Sequence, residues 1–154
     1  MPSVTDLSLL SPREWQDMLQ LGQTRLFSPG ERVFAEGAPG LHVYIVREGL
    51  VELLKASVAG GCMRVAILDE GTIFGEGALF DASTRSTTAR AFRDAVVQEV
   101  PKESLLAFLE TRPSFSMLFY RAISERLHQA VVDLDADLKA LHHQLRRDAS
   151  SARA

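Results

Sequence analysis

Between Thr24 and Pro101, short β-rich runs alternate with turn residues, and this alternation limits the fold more than any other feature of the chain. The runs are Arg25–Phe27, Arg32–Ala35, Val43–Arg47, Leu50–Ser57, Met63–Leu68, Thr87–Phe92 and Ala95–Val100. Turn signals separate them at Ser28-Pro29-Gly30-Glu31, Glu36-Gly37-Ala38-Pro39-Gly40, Glu48-Gly49, Ala59-Gly60-Gly61 and Asp69-Glu70-Gly71. Gly49 and Gly71 are expected at tight corners, where φ is positive. Many short strands at regular spacing predict a mainly β chain built as an antiparallel β-roll of the jelly-roll or barrel kind.

Helical patterns flank this region. On the N-terminal side, Ser11 suits a cap, Pro12 the first helical position, and Glu14 completes a capping box. Trp15, Met18 and Leu19 give that helix an apolar face, and Gly22 reads as its stop. After Pro101, Lys102 to Glu110 carries Leu105, Leu106, Phe108 and Leu109, and Pro113 opens a further helix. From Pro113 to about Arg147 there is neither proline nor glycine. Leu127, Val131, Leu134, Leu138, Leu141 and Leu145 follow a 4-3-4-3-4 spacing, and the register extends back through Ser124, Tyr120 and Met117. That is a coiled-coil seam, so a homodimer is expected, with the helices of two copies in parallel across a two-fold axis. The alternative, a long helix folded onto its own domain, suits the first half better than the part beyond Val131. The expected division is residues 1–112 for the roll with its helices, 113–147 for the dimerisation helix and 148–154 for a disordered tail.

Composition excludes several classes. At 154 residues, with a net charge of −3 and a pI of about 5.8, the chain has no global basic footprint for nucleic acid. No apolar run reaches the ~18 residues needed to span a bilayer, and Met-Pro-Ser-Val-Thr-Asp lacks the form of a signal peptide. Cys62 is alone, which rules out an internal disulfide and points to the cytoplasm. Of His42, His128, His142 and His143, only His42 falls in the β region, so no metal centre is expected.

Phe74 to Ala91 concentrates the chemistry. Gly75-Glu76-Gly77 offers backbone N–H groups at the start of a short helix, which favours an anion. Arg85 can fork onto a phosphate, and Ser86, Thr87 and Thr88 add hydroxyl donors. Glu76 is acceptor-only when ionised and repels a phosphate, so it suits a sugar hydroxyl. It has neither a paired carboxylate nor a nucleophile nearby, so no catalytic set is expected and the chain does not read as an enzyme. An anion end beside a hydroxyl end suggests a nucleotide or sugar phosphate.

The order of helix, β-roll, short helix and long helix, with Phe74-Gly75-Glu76-Gly77-Ala78-Leu79 followed by Arg85-Ser86-Thr87-Thr88-Ala89-Arg90-Ala91, resembles the cyclic nucleotide-binding domain of the catabolite activator and protein kinase regulatory-subunit superfamily. Secondary marks agree: Pro29-Gly30-Glu31, Tyr44-Ile45-Val46 and Glu48-Gly49. The resemblance runs from roughly Leu9 to Leu145. It implies a ligand, cAMP or cGMP, and no other cofactor. Carried over, Glu76 accepts from the ribose 2′-hydroxyl and Arg85 pairs with the cyclic phosphate. The backbone of Gly75, Gly77 and Ala78 and the hydroxyl of Ser86 complete the cradle, with Phe74 and Thr87 beside them. Two positions depart from the family pattern. Gly77 stands where a bulky aliphatic residue is usual. Ala130 and Val131 replace the hydroxyl residues that read adenine in bacterial activators, leaving Arg126, His128, Gln129 and Asp133 as substitutes. Ser86 also keeps cGMP open, and a cyclic dinucleotide or a degenerate pocket is the alternative. Family activators carry a helix-turn-helix after the long helix. This sequence ends too soon after the heptads for one, so the expected output is an effector protein rather than direct DNA binding.

Overall fold

A computed structural model describes residues 11–80 and 84–153. The leader reading at the N-terminus and the spacer 81–83 inside the Phe74–Ala91 motif lie outside the described residues. Among the described residues the eight strands are β1 (Gln23–Phe27), β2 (Arg32–Phe34), β3 (His42–Glu48), β4 (Val51–Ala56), β5 (Cys62–Leu68), β6 (Ile73–Phe74), β7 (Thr88–Ala91) and β8 (Ala95–Pro101). They form two antiparallel four-stranded sheets, ordered β1-β8-β3-β6 and β2-β7-β4-β5. The expected β-roll is therefore present. The addition is β6, two residues long, which pairs through Tyr44↔Phe74 and Ile45↔Ile73 and brings the Phe74–Ala91 motif into the sheet.

Strand β3 shows why two cores coexist. Tyr44 and Val46 point between the sheets, joining Phe27, Val51, Phe74, Ala89 and Val97. Val43 and Ile45 point the other way, where they meet Met18, Leu105, Phe108, Phe115, Phe119 and Ile123 from the helices. A strand covered on both faces reads as a continuous apolar run, as Val43–Val46 does. The corners at Gly49 (φ 80°) and Gly71 (φ 86°) lie in the left-handed region, as expected.

Helix α1 spans Pro12–Leu19, α2 spans Lys102–Glu110 and α3 spans Pro113–Ser151. Three details correct the sequence reading. The Ser11 hydroxyl makes no cap bond; its carbonyl accepts from Trp15 N–H at 3.0 Å. Gly22 is not the stop of α1. It passes so close to β8 that a Cβ would lie 1.9 Å from the Glu99 carbonyl oxygen. Helix α3 continues to Ser151 instead of giving way to a disordered tail at residue 148, because Asp148–Ser151 contains no residue that breaks a helix. Along α3, Phe115, Phe119, Ala122 and Ile123 are buried against the domain, while Leu127, Val131, Leu134, Leu138, Leu141 and Leu145 are exposed. The first half folds back on the roll and the second half carries a bare apolar seam.

Candidate functional site

The motif begins with a sharp reversal. Gly75 has φ 68°, and the expected short helix follows it as a single 3-10 turn, Glu76–Leu79. Glycine suits this positive φ, and a Cβ on Gly75 would sit 2.8 Å from Arg85 Nη1 and 3.1 Å from the Tyr44 ring, so that a side chain here displaces the guanidinium. The return arm is anchored by backbone bonds: Gly37 N–H donates to the Arg85 carbonyl and Arg85 N–H to the Ala38 carbonyl, each at 2.8 Å.

Arg85 is buried, at 6% exposure. Its guanidinium donates to the carbonyls of Gly75 at 2.9 Å and His42 at 2.7 Å, and lies 4.3 Å above the Phe34 ring. Tyr44 packs beneath it, its ring 5.3 Å from Phe74 and its centroid 5.4 Å from the guanidinium carbon. Burial, reinforced by the charge of Glu99, pushes the Tyr44 phenol up to about 12, so its hydroxyl stays a donor to Glu99 at 3.2 Å. Burial also draws Arg85 below the ordinary arginine range, partly opposed by Tyr44. Of the five N–H donors of a guanidinium, two are engaged with carbonyls; Nε is buried and has no partner among the described residues. The side chain is thus held in place by backbone and aromatic faces and retains donors for an anion.

Glu76 is met by Arg126 of α3, whose Nη2 pairs with Glu76 Oε1. Both side chains are mostly buried, burial lowers the Arg126 pKa, and Arg126 Nε also has no partner among the described residues. Between these two arginines lies a cavity of about 340 Å³, inside the range of small-molecule sites. Of the residues expected to bind ligand, Gly75, Glu76, Gly77, Ala78, Arg85, Ser86 and Thr87 line it. Phe74 is the exception: it is fully buried in the core below the cavity. Among the four α3 candidates for the far end, Arg126 reaches the cavity; Gln129 instead donates to Asp133 at 2.8 Å on the exposed helix face. Leu127, expected in the dimer seam, also lines the wall. Arg90 points away, to buried Glu52 on the outer sheet face at 2.8 Å.

Phe34, Gly40, Leu53, Phe80 and Thr84 complete the wall and escaped the sequence reading. Phe34 follows a β-bulge, Arg32↔Arg90 then Phe34↔Ala89, which turns it inward against simple alternation. Leu53 carried a usable signal, since it alternates with buried Val51 on one face of β4.

Geometry therefore defines a β-roll with a pocket lined by buried Arg85, half-buried Arg126 and the Glu76 carboxylate, a site for a small ligand with both anionic and hydroxyl groups. Residues 24–112 match the family model described as "Cyclic nucleotide-binding domain", and the chain belongs to that family. It is 31% identical over 126 residues to the cyclic AMP receptor protein of Thermus thermophilus, and 30% identical over 112 residues to a CRP-like cAMP-activated global transcriptional regulator of Mycobacterium tuberculosis. These alignments cover 82% and 73% of this chain, which spans 58% and 50% of those relatives' lengths. The crystal structure of Thermus thermophilus catabolite activator protein superposes with a TM-score of 0.74 at 29% identity, covering 87% of this chain and 62% of that one.

Proposed function

We propose that the chain is a sensor of cyclic mononucleotides, cAMP or cGMP, acting in the cytoplasm as a homodimer and passing ligand-driven helix movement to an effector protein. The observation that carries this reading is the buried, oriented Arg85 at one side of the cavity with Glu76 at the other. The phosphate takes the open donors of Arg85 and the hydroxyl of Ser86. The ribose 2′-hydroxyl donates to Glu76, and Arg126 changes partner or shares the carboxylate as the sugar enters. Helix α3 then moves about the Arg112–Pro113 junction, where Arg112 is non-helical between α2 and α3. The exposed Leu127–Leu145 seam, of spacing 4-3-4-3-4, supports a parallel dimer.

Calorimetry with cAMP and cGMP on wild type, Arg85→Ala and Glu76→Ala tests this. Loss of a charge-assisted contact is expected to cost ~1.5–3 kcal/mol, about ten- to hundredfold in affinity. No binding of either nucleotide by wild type overturns the reading.

A further inference from the structure

The wall that receives the phosphate has little strand support. Strand β7 pairs with β4 only as far as Leu54↔Thr88, whereas β4 continues against β5 through Lys55↔Met63 and Ala56↔Cys62. Ser86 and Thr87 lie just past the end of the β4–β7 ladder, where side chains take over. Lys55 Nζ donates to the Ser86 carbonyl at 2.8 Å and to Glu36 Oε1 at 2.8 Å. Glu36 Oε2 accepts from Ala56 N–H at 3.0 Å, and Glu36 N–H donates to the Thr88 hydroxyl at 2.9 Å. Lys55 approaches from outside, since Ser86 and Thr87 line the cavity and Lys55 does not.

We propose that Lys55, steadied by Glu36, is a positioning residue for the phosphate end of the pocket. It fixes the Ser86–Thr87 peptide so that the Thr87 N–H faces the ligand. The inference rests on the cyclic nucleotide reading above. A trans peptide carries its C=O and N–H in opposite directions, and the described chain has no cis bond. A Ser86 carbonyl drawn outward to an ammonium group therefore turns the Thr87 N–H inward. The ammonium also polarises that peptide and strengthens the inward donor. Lys55 is paired with Glu36, whose carboxyl the Lys55 bond and then the Ala56 N–H hold below the ordinary range. The pair is neutral as a unit, so its action on the ligand is geometric and not that of a free cation.

That distinction makes the test decisive. Binding of cAMP and cGMP is measured by calorimetry for wild type, Lys55→Met and Glu36→Gln, with thermal unfolding of each ligand-free protein as a folding control. Lys55→Met is expected to weaken binding about tenfold and Glu36→Gln about threefold in the same direction, each the effect of one lost hydrogen bond or less. Unfolding midpoints are expected to change little, because exposed ion pairs contribute little to stability. The Thr87 amide proton, followed by NMR, is expected to shift downfield on ligand binding in wild type and less in Lys55→Met. If Glu36→Gln binds more tightly, Lys55 acts as a plain cation and the positioning role is overturned. Unchanged affinity in Lys55→Met overturns it too, leaving the sensor reading intact. Failure of wild type to bind either nucleotide removes both.

Discussion

Single residues in this domain are placed by what neutralises them. Glu52 is 2% exposed on the outer face of the β2-β7-β4-β5 sheet, between Arg64 Nε at 2.8 Å and Arg90 Nε at 2.8 Å. Burial alone would raise its pKa, but the hydrogen bonds from Arg90 and Arg64 outweigh burial and hold the carboxyl below the ordinary value. A carboxyl depressed in the folded state contributes stability above its unfolded pKa of ~4.3 and loses it as pH falls through the folded value. Glu52→Gln is therefore expected to destabilise the domain by about 1–3 kcal/mol at pH 7, where charge-assisted bonds are lost. The deficit against wild type should shrink below about pH 4, which denaturant unfolding at both pH values checks. An equal deficit at pH 7 and pH 3 would show that the ionised carboxylate is not what matters.

At the scale of elements, the turn Gly75–Leu79 sets the relation between the roll and its ligand. Gly75→Ala places a Cβ at φ 68° against Arg85 and Tyr44. The backbone alone costs roughly 1–2 kcal/mol, and the clash displaces the guanidinium, so both the unfolding midpoint and cyclic nucleotide affinity are expected to fall. Retained affinity would separate Arg85 from this turn. The strands were readable because glycine and proline mark their ends in chemical terms, and α2 because its apolar spacing is helical over its whole length. β6 was not readable, being two residues embedded in the ligand motif. Phe34 was hidden by a bulge that reverses its face. Phe74 shares the motif with the ligand-facing residues but is turned into the core by its pairing with Tyr44. Arg126 was half readable: sequence placed it near the far end of the pocket, but its contact with Glu76 depends on how α3 lies across the roll. No local pattern encodes that angle.

For the whole molecule, α3 divides into a packed half and a bare half. Leu134 is 60% exposed and Leu138 57%, within a seam of leucines that a second copy would cover. Leu134→Asp is expected to run as a monomer in sizing and ultracentrifugation while wild type runs as a dimer; an unchanged size would reject the seam as the interface. The chain spans 58% and 50% of the lengths of the two curated relatives named above. Beyond Ile123, the last buried residue of α3, the helix runs on to Ser151, roughly 40 Å at ~1.5 Å per residue. Arg126 grips the pocket close to the root of that arm. The arrangement is that of a lever held near its fulcrum. A rotation of ~10° there displaces the far tip by about 7 Å over that reach. On the mechanism proposed above, leverage would exchange force for travel: a sub-ångström adjustment around one carboxylate would become a movement large enough for a partner to read, though gentle enough for that partner to resist.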